Sequence, residues 1–332
     1  MKNSLLKLIG IVFFSVAMIS PFCVQAKESL IIYTATGPEW LPKYKKAFEQ
    51  RFPDVEFSFV RAGAGTISAR LIAEKKNPKA DVVFAVSAIA MENLRQQGVI
   101  DRYIPKGLEN INPKMRSPQS YWFGISAWSG SLCVNTELLA KNGLPVPTSW
   151  QDLLDPKYKG MIVMPSPVAS STGYMFLLGW LQQMGEVDGW KYIRALHQNI
   201  LFYIPSGDGP AAMVAQGEVA IGLSSEVSIA PFLKYHIPVI TVAPQEGIAW
   251  DSEANALVKG TKNPKLAREF LDFCSGEEVA KIASEFGGIA GYEKFSTTKG
   301  RELSSRFLPL DFSVAAANKQ SVLKHWTEMV NE

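Results

Sequence analysis

Cysteine and histidine are both scarce in this chain of 332 residues, three of each. Cys23, Cys133 and Cys274 form no Cys-x-x-Cys pair, and His197, His236 and His325 are too scattered for a metal cluster. No cofactor and no metal site is therefore expected. The chain also lacks a Walker loop, a Gly-x-Gly-x-x-Gly fingerprint, a His-Glu-x-x-His pair and a Gly-x-Ser-x-Gly elbow. With no nucleophile beside a base, catalysis is not expected, and a periplasmic phosphoester-processing enzyme stands only as a rival from another class. Charge of one sign is missing too, since 34 Lys and Arg face 31 Asp and Glu. Nucleic-acid binding draws on a clear basic excess, so that partner is not expected either.

Long hydrophobic runs are limited to one. Leu8 to Ile19, preceded by Lys2 and followed by Pro21 and the small-residue approach Val24-Gln25-Ala26, reads as a secretory signal peptide cut after Ala26. The run falls short of the ~20 residues a membrane-spanning helix needs. Phe22, large where a lipoprotein signal has a small residue, argues against lipidation at Cys23. Without Lys2 and Lys7 the exported chain carries 32 basic against 31 acidic side chains, and it is expected in the periplasm as a soluble monomer. An oxidising compartment permits a Cys133–Cys274 disulfide, while two isolated cysteines in apolar surroundings are equally compatible with buried free thiols.

What is present is an ordinary globular composition, 47% hydrophobic and 20% charged, at a length where one core gives way to two. Short β-branched runs alternate with amphipathic stretches, which predicts an α/β protein with largely parallel sheets. Strands at Leu30–Tyr33, Val55–Val60 and Val82–Val86 each lead through a loop into a helix. The pattern repeats from Met161 onwards. Crossings between lobes are placed near Ala127–Ser131 and Ala249–Asp251. The expected division is a leader at 1–26, a first lobe of 27–127 and 249–332, and a second of 128–248.

Loops between strand and helix are rich in Ser, Thr and Gly. A helix start presents about four backbone N–H groups without intrahelical partners, its dipole favours negative charge, and Gly allows close approach. Ligands of open α/β sheets sit beyond the strand carboxyl ends. The candidates are Thr34, Thr36, Gly65, Thr66 and Ser87 in the first lobe, and Ser170, Ser171, Thr172, Gly173, Ser206 and Gly207 in the second. Ser and Thr are also the preferred helix caps, but Ser170-Ser171-Thr172-Gly173 exceeds what one cap requires. Trp128, Glu226, Trp250 and Asp251 fall near the crossings, where aromatic faces and carboxylates suit the ammonium end of a zwitterion. Packing for the tryptophans and helix-start placement for Glu226 are the competing structural roles.

These residues carry a family resemblance. Ile32-Tyr33-Thr34-Ala35, Phe59-Val60-Arg61 and Ala73-Glu74-Lys75-Lys76-Asn77-Pro78-Lys79-Ala80-Asp81-Val82 resemble the solute-binding proteins of iron, sugar-phosphate and phosphonate ABC importers. Pro147-Thr148-Ser149-Trp150, Tyr158-Lys159-Gly160-Met161 and Leu257-Val258-Lys259-Gly260 extend the likeness, and the 2-aminoethylphosphonate-binding branch is the nearest. The resemblance implies a type II, Venus-flytrap fold of two lobes joined by two crossover strands. It also implies a small anionic solute, best matched by 2-aminoethylphosphonate, and an inner-membrane ABC permease as partner. Sensing through a membrane receptor is the other output such a trap serves. The loop implied to hold the phosphonate falls on Ser170, Ser171, Thr172 and Ser206. Iron-binding members use a Tyr-Tyr pair where this chain has Ser224-Ser225, which weighs against iron(III). Ala62-Gly63-Ala64-Gly65-Thr66 replaces a polar turn of the phosphonate branch, which keeps a sugar phosphate open.

Overall fold

The computed structural model describes residues 27–235 and 237–331, so the leader at 1–26, with Cys23, and His236 lie outside the described residues. The first half runs β1 (Glu28–Thr34), α1 (Leu41–Arg51), β2 (Val55–Arg61), α2 (Ala64–Ala73), β3 (Val82–Ser87), α3 (Ala88–Gln96) and β4 (Ile100–Asp101). A long strand β5 (Phe123–Asn135) then leads to α4 (Thr136–Lys141), β6 (Ile162–Pro165), α5 (Ser171–Met184), α6 (Glu186–His197) and β7 (Ile200–Ile204). Next come α7 (Gly209–Ala215), β8 (Ile221–Ser225), α8 (Glu226–Ile229) and β9 (Val239–Val242). The chain returns along β10 (Trp250–Val258) and ends in α9 (Pro264–Cys274), α10 (Glu277–Gly287), α11 (Thr298–Ser305) and α12 (Phe312–Val330).

Strand order is β2-β1-β3-β10-β5-β8-β6-β7, with β4 on β10 and β9 on β5. Within each lobe the strands β2-β1-β3 and β7-β6-β8 pair in parallel, as strand–helix–strand units require. Strands β5 and β10 run antiparallel to their neighbours, so the sheets are mixed rather than largely parallel. The reason is topological: a chain that leaves a lobe and comes back must run in the opposite sense through its sheet. Strand β5 runs unbroken through the crossing near Ala127–Ser131, pairing with β10 at one end and with β8 and β9 at the other.

Each lobe has its own core. In the first, Tyr44, Ala47 and Phe48 form the buried stripe of α1, and Phe48 meets Phe84 and Phe270 edge-on at 5.2 and 4.6 Å. In the second, Trp150, Phe176, Trp180 and Tyr192 pack together. Helix α12 serves both: Phe312 and Ala315 join the first core, Trp326 and Met329 the second. The two cysteines are buried and free, in separate cores. Burial pushes the Cys133 thiol up to about 12 and raises that of Cys274 as well, so neither is a thiolate at neutral pH.

Candidate ligand-binding cleft

A cavity of about 880 Å³ opens between the lobes. Its walls are the start of α2, the start and one face of α3, the loop into α5, the loop into α7, and the middle of α12.

On the first-lobe side α2 begins without a side-chain cap, because its N-cap is Gly63. The first intrahelical bond runs from Ile67 N–H to Gly63 O, which leaves the N–H groups of Ala64, Gly65 and Thr66 without partners among the described residues. A methyl group built on Gly63 or Gly65 would meet nothing within 4 Å. This helix start therefore faces open space with its donors bare.

The neighbouring helix is treated otherwise. Ser87 ends β3 and caps α3, accepting from Ala90 N–H at 3.4 Å, while its own hydroxyl donates to Asp251 Oδ2 at 2.5 Å. Asp251 Oδ1 accepts from Ala88 N–H at 2.9 Å and from Ser252 N–H at 2.7 Å. The α3 start thus already carries an anion, supplied by β10. Burial pushes the Asp251 carboxyl up to about 6, with the bonds from Ser87, Ser252 and Ala88 pulling the other way.

Ser87 points this way because of a bulge. Ala85 has φ of +49° in mid-strand, its N–H is held by the buried Asn255 Oδ1 at 3.0 Å, and the β3–β10 register slips between Ala254 and Ala256. A one-residue slip exchanges the two faces of a strand. Asn255, through that contact, sets which face Ser87 occupies.

On the second-lobe side the loop 166–170 folds back on itself, with Ala169 and Ser170 N–H both donating to Ser166 O. Ser170 caps α5 by accepting from Gly173 N–H at 3.4 Å. The N–H groups of Ser171 and Thr172 have no acceptor among the described residues, and Ser171 is exposed to the cleft. Thr172 Oγ1 lies against Gly207, where an added Cβ would come to 2.5 Å of it. Gly207 thereby lets the two loops close into one surface.

The model of bacterial extracellular solute-binding proteins matches residues 77–312, which take in both lobes and both crossing strands. The chain belongs to this family. Among its relatives is an uncharacterized protein of Haemophilus influenzae, 29% identical over 324 residues, 92% of each chain. A putative 2-aminoethylphosphonate-binding periplasmic protein of Salmonella typhimurium is 25% identical over 246 residues, 68% of this chain and 66% of its own. Among solved structures, the periplasmic binding protein AfuA of Actinobacillus pleuropneumoniae, with fructose-6-phosphate bound, superimposes with a TM-score of 0.80 at 27% identity, covering 92% of this chain and 99% of its own.

Of the residues singled out in this solute-binding protein from sequence, Gly65, Thr66, Ser87, Ser170, Ser171, Thr172 and Gly207 line the cavity together. The others lie outside its lining. Thr34 and Thr36 are fully buried, the first accepting from the N–H of the second at 3.1 Å. Asp251 is buried behind Ser87. Gly173 packs its Cα against the Pro165–Pro167 backbone, and its N–H is taken by the cap. Ser206 Oγ accepts from the N–H groups of Asp208 and Gly209, closing the turn that leads into α7. Trp250 is a core residue, stacked on Phe307 at 4.7 Å and donating its indole N–H to Leu308 O. Glu226 is buried, with Oε2 accepting from Ser129 N–H at 2.5 Å and Ser129 Oγ at 2.9 Å, which ties α8 to the crossing strand. Burial pushes its carboxyl up to about 7. Trp128 is half-buried opposite Asp251 on the crossing ribbon.

The cavity also holds side chains that sequence reasoning missed: Asn93 and Gln96 from α3, Gln97 just past its end, Asp208, and Lys319 and Gln320 from α12. Nothing local marks them, since amides and a lysine on amphipathic helices have the pattern of any solvated face.

Proposed function

We propose that this chain is a periplasmic solute-binding protein that captures a small phosphate- or phosphonate-bearing solute and delivers it to an ABC permease. The observation that carries the reading is the pair of helix starts, α2 and α5, whose bare N–H groups line one cavity from opposite lobes. Each favours an anion through its donors and its dipole, and an anion held by both stabilises the closed arrangement of the lobes over the open one. The solved relative with fructose-6-phosphate and the 2-aminoethylphosphonate-binding relative are consistent with such a ligand.

The remainder of the lining favours a hydroxyl-rich body. Asn93, Gln97 and Gln320 each offer a donor and an acceptor and Gln96 an acceptor, which pair with the hydroxyls of a sugar phosphate. A second reading, 2-aminoethylphosphonate itself, rests on the likeness to the putative 2-aminoethylphosphonate-binding relative; Trp128, Asp251 and Glu253 share one face of the crossing ribbon but stand outside the cavity lining. For iron, the Ser224 and Ser225 hydroxyls are engaged with Gly207 O and Ser228, and no group of three His, Cys, Asp or Glu side chains converges among the described residues.

Titration calorimetry of the exported chain with fructose 6-phosphate, 2-aminoethylphosphonate, inorganic phosphate and ferric citrate tests both readings. Sub-micromolar binding of the sugar phosphate, with 2-aminoethylphosphonate at least tenfold weaker, is expected. The reverse order selects the second reading, and binding of ferric citrate alone rejects anion capture by these helix starts.

A further inference from the structure

We infer that Lys319, carried by the C-terminal helix and not by a strand-to-helix loop of either lobe, is the cation that recognises the anionic group and sets preference for a phosphate ester over its neutral alcohol. This rests on the anion-capture reading and adds to it a specificity-determining residue in an element that reading does not use.

Lys319 is the one Lys or Arg lining the inter-lobe cavity among the described residues. Its ammonium lies over the Tyr174 ring, 5.3 Å from the centroid, and Tyr174 sits one position beyond the Ser170–Gly173 turn that starts α5. Lys319, Ser171 and Thr172 line the same cavity, so the cation and the bare N–H groups face one space. Among the described residues Lys319 forms no ion pair and no hydrogen bond. It is half-buried, and burial lowers its proton affinity while the charge of Asp251 raises it. Asp251 does not serve as its partner, because both carboxylate oxygens are engaged by Ser87, Ala88 and Ser252. A partly desolvated ammonium without a counter-ion is costly until an anion reaches it. The ligand is that counter-ion.

The helix that presents Lys319 is fixed at both ends. Tyr174 donates its hydroxyl to Ala315 O at 2.5 Å, and Arg95 and Gln96 of α3 bond Ser313 Oγ and O at 3.1 and 3.0 Å. One turn of α12 is thus bonded to a helix from each lobe, while Trp326 anchors its far end in the second core. Lys319 approaches the cleft from a third wall, so the anion is enclosed from three directions when the lobes meet.

The test uses the exported chain with Lys319→Met, Lys319→Gln and Lys319→Arg, titrated with fructose 6-phosphate, 2-aminoethylphosphonate and fructose. Met keeps the aliphatic stem over Tyr174, so melting temperatures within a few degrees of the natural chain are expected for it. Affinity of the tighter-binding anion should fall about 10- to 100-fold in the Met and Gln variants, equivalent to about 1.4 to 2.7 kcal/mol. Arg should stay within about fivefold of the natural chain, and fructose binding should not change. Anion affinity within threefold of the natural chain in the Met and Gln variants overturns the inference alone. If the natural chain binds neither anion, the anion-capture reading falls and the inference with it.

Discussion

At the start of α3, in the first lobe, the positive end of the helix meets the protein's own carboxylate: Asp251 takes Ala88 N–H and the Ser87 hydroxyl. At the start of α5, in the second lobe, Ser170 performs the cap and the next two N–H groups stay open to the cleft. Both junctions are a serine between a buried strand and a helix, yet one is neutralised from within and the other is left to attract an anion from outside. A hydroxyl at such a junction is therefore not a ligand donor on its own account. Whether an acid on a distant strand reaches it decides the matter.

The contrast can be broken hardest at Gly173. A Cβ there would stand 2.5 Å from Pro165 O and 2.8 Å from Pro167 N, so Gly173→Val has to displace the loop that forms the anion wall. A loss of about 3 kcal/mol in urea unfolding, with calorimetric binding abolished, is expected; retention of full affinity would show that the loop does not form the site. Paired substitutions sharpen the comparison next. Ser171→Ala with Thr172→Ala removes hydroxyls able to make charge-assisted bonds and should weaken anion binding about 10- to 100-fold. Ser87→Ala, at the neutralised junction, should cost about 1 kcal/mol of stability and move affinity less than about threefold. Equal affinity losses in the two would erase the distinction between the lobes.

The smallest effect concerns pH. Asp251 titrates near 6 in the fold, above the ordinary 3.8, because burial opposes its charge. Its contribution to stability is fully present below about pH 4 and is lost as pH rises through 6. Asp251→Asn stays neutral, so its unfolding free energy should decline less between pH 4 and 6 than that of the natural chain, measured by denaturant titration at each pH. Parallel slopes would place Asp251 in a solvated rather than a buried setting.

Much of the architecture follows from short-range patterns. Tyr44 and Phe48 of α1 recur at helical spacing, and Leu30 and Ile32 of β1 alternate inward; such periodicities are written locally and survive any packing of the whole. The Ser170–Gly173 turn was legible for the same reason, as a cluster of cap residues at a strand end. Trp250 was not: its residue type suits a cleft as well as a core, and Phe307 and Leu308, some sixty positions on, draw it inward.

The alternation of strands and helices and the hydroxyl-rich junctions were written in the residue order, because they depend on side-chain period and on cap chemistry within a few residues, and the two-lobed plan was expected from the chain's length and its family resemblance. The tertiary structure alone decided which junctions stay open. Asp251 reaches Ser87 across more than 160 positions, Asn255 holds the bulge that aims it, and α12 returns from the end of the chain to set Lys319 over Tyr174. Those are contacts between distant segments, and the short-range preferences of either segment carry no record of them.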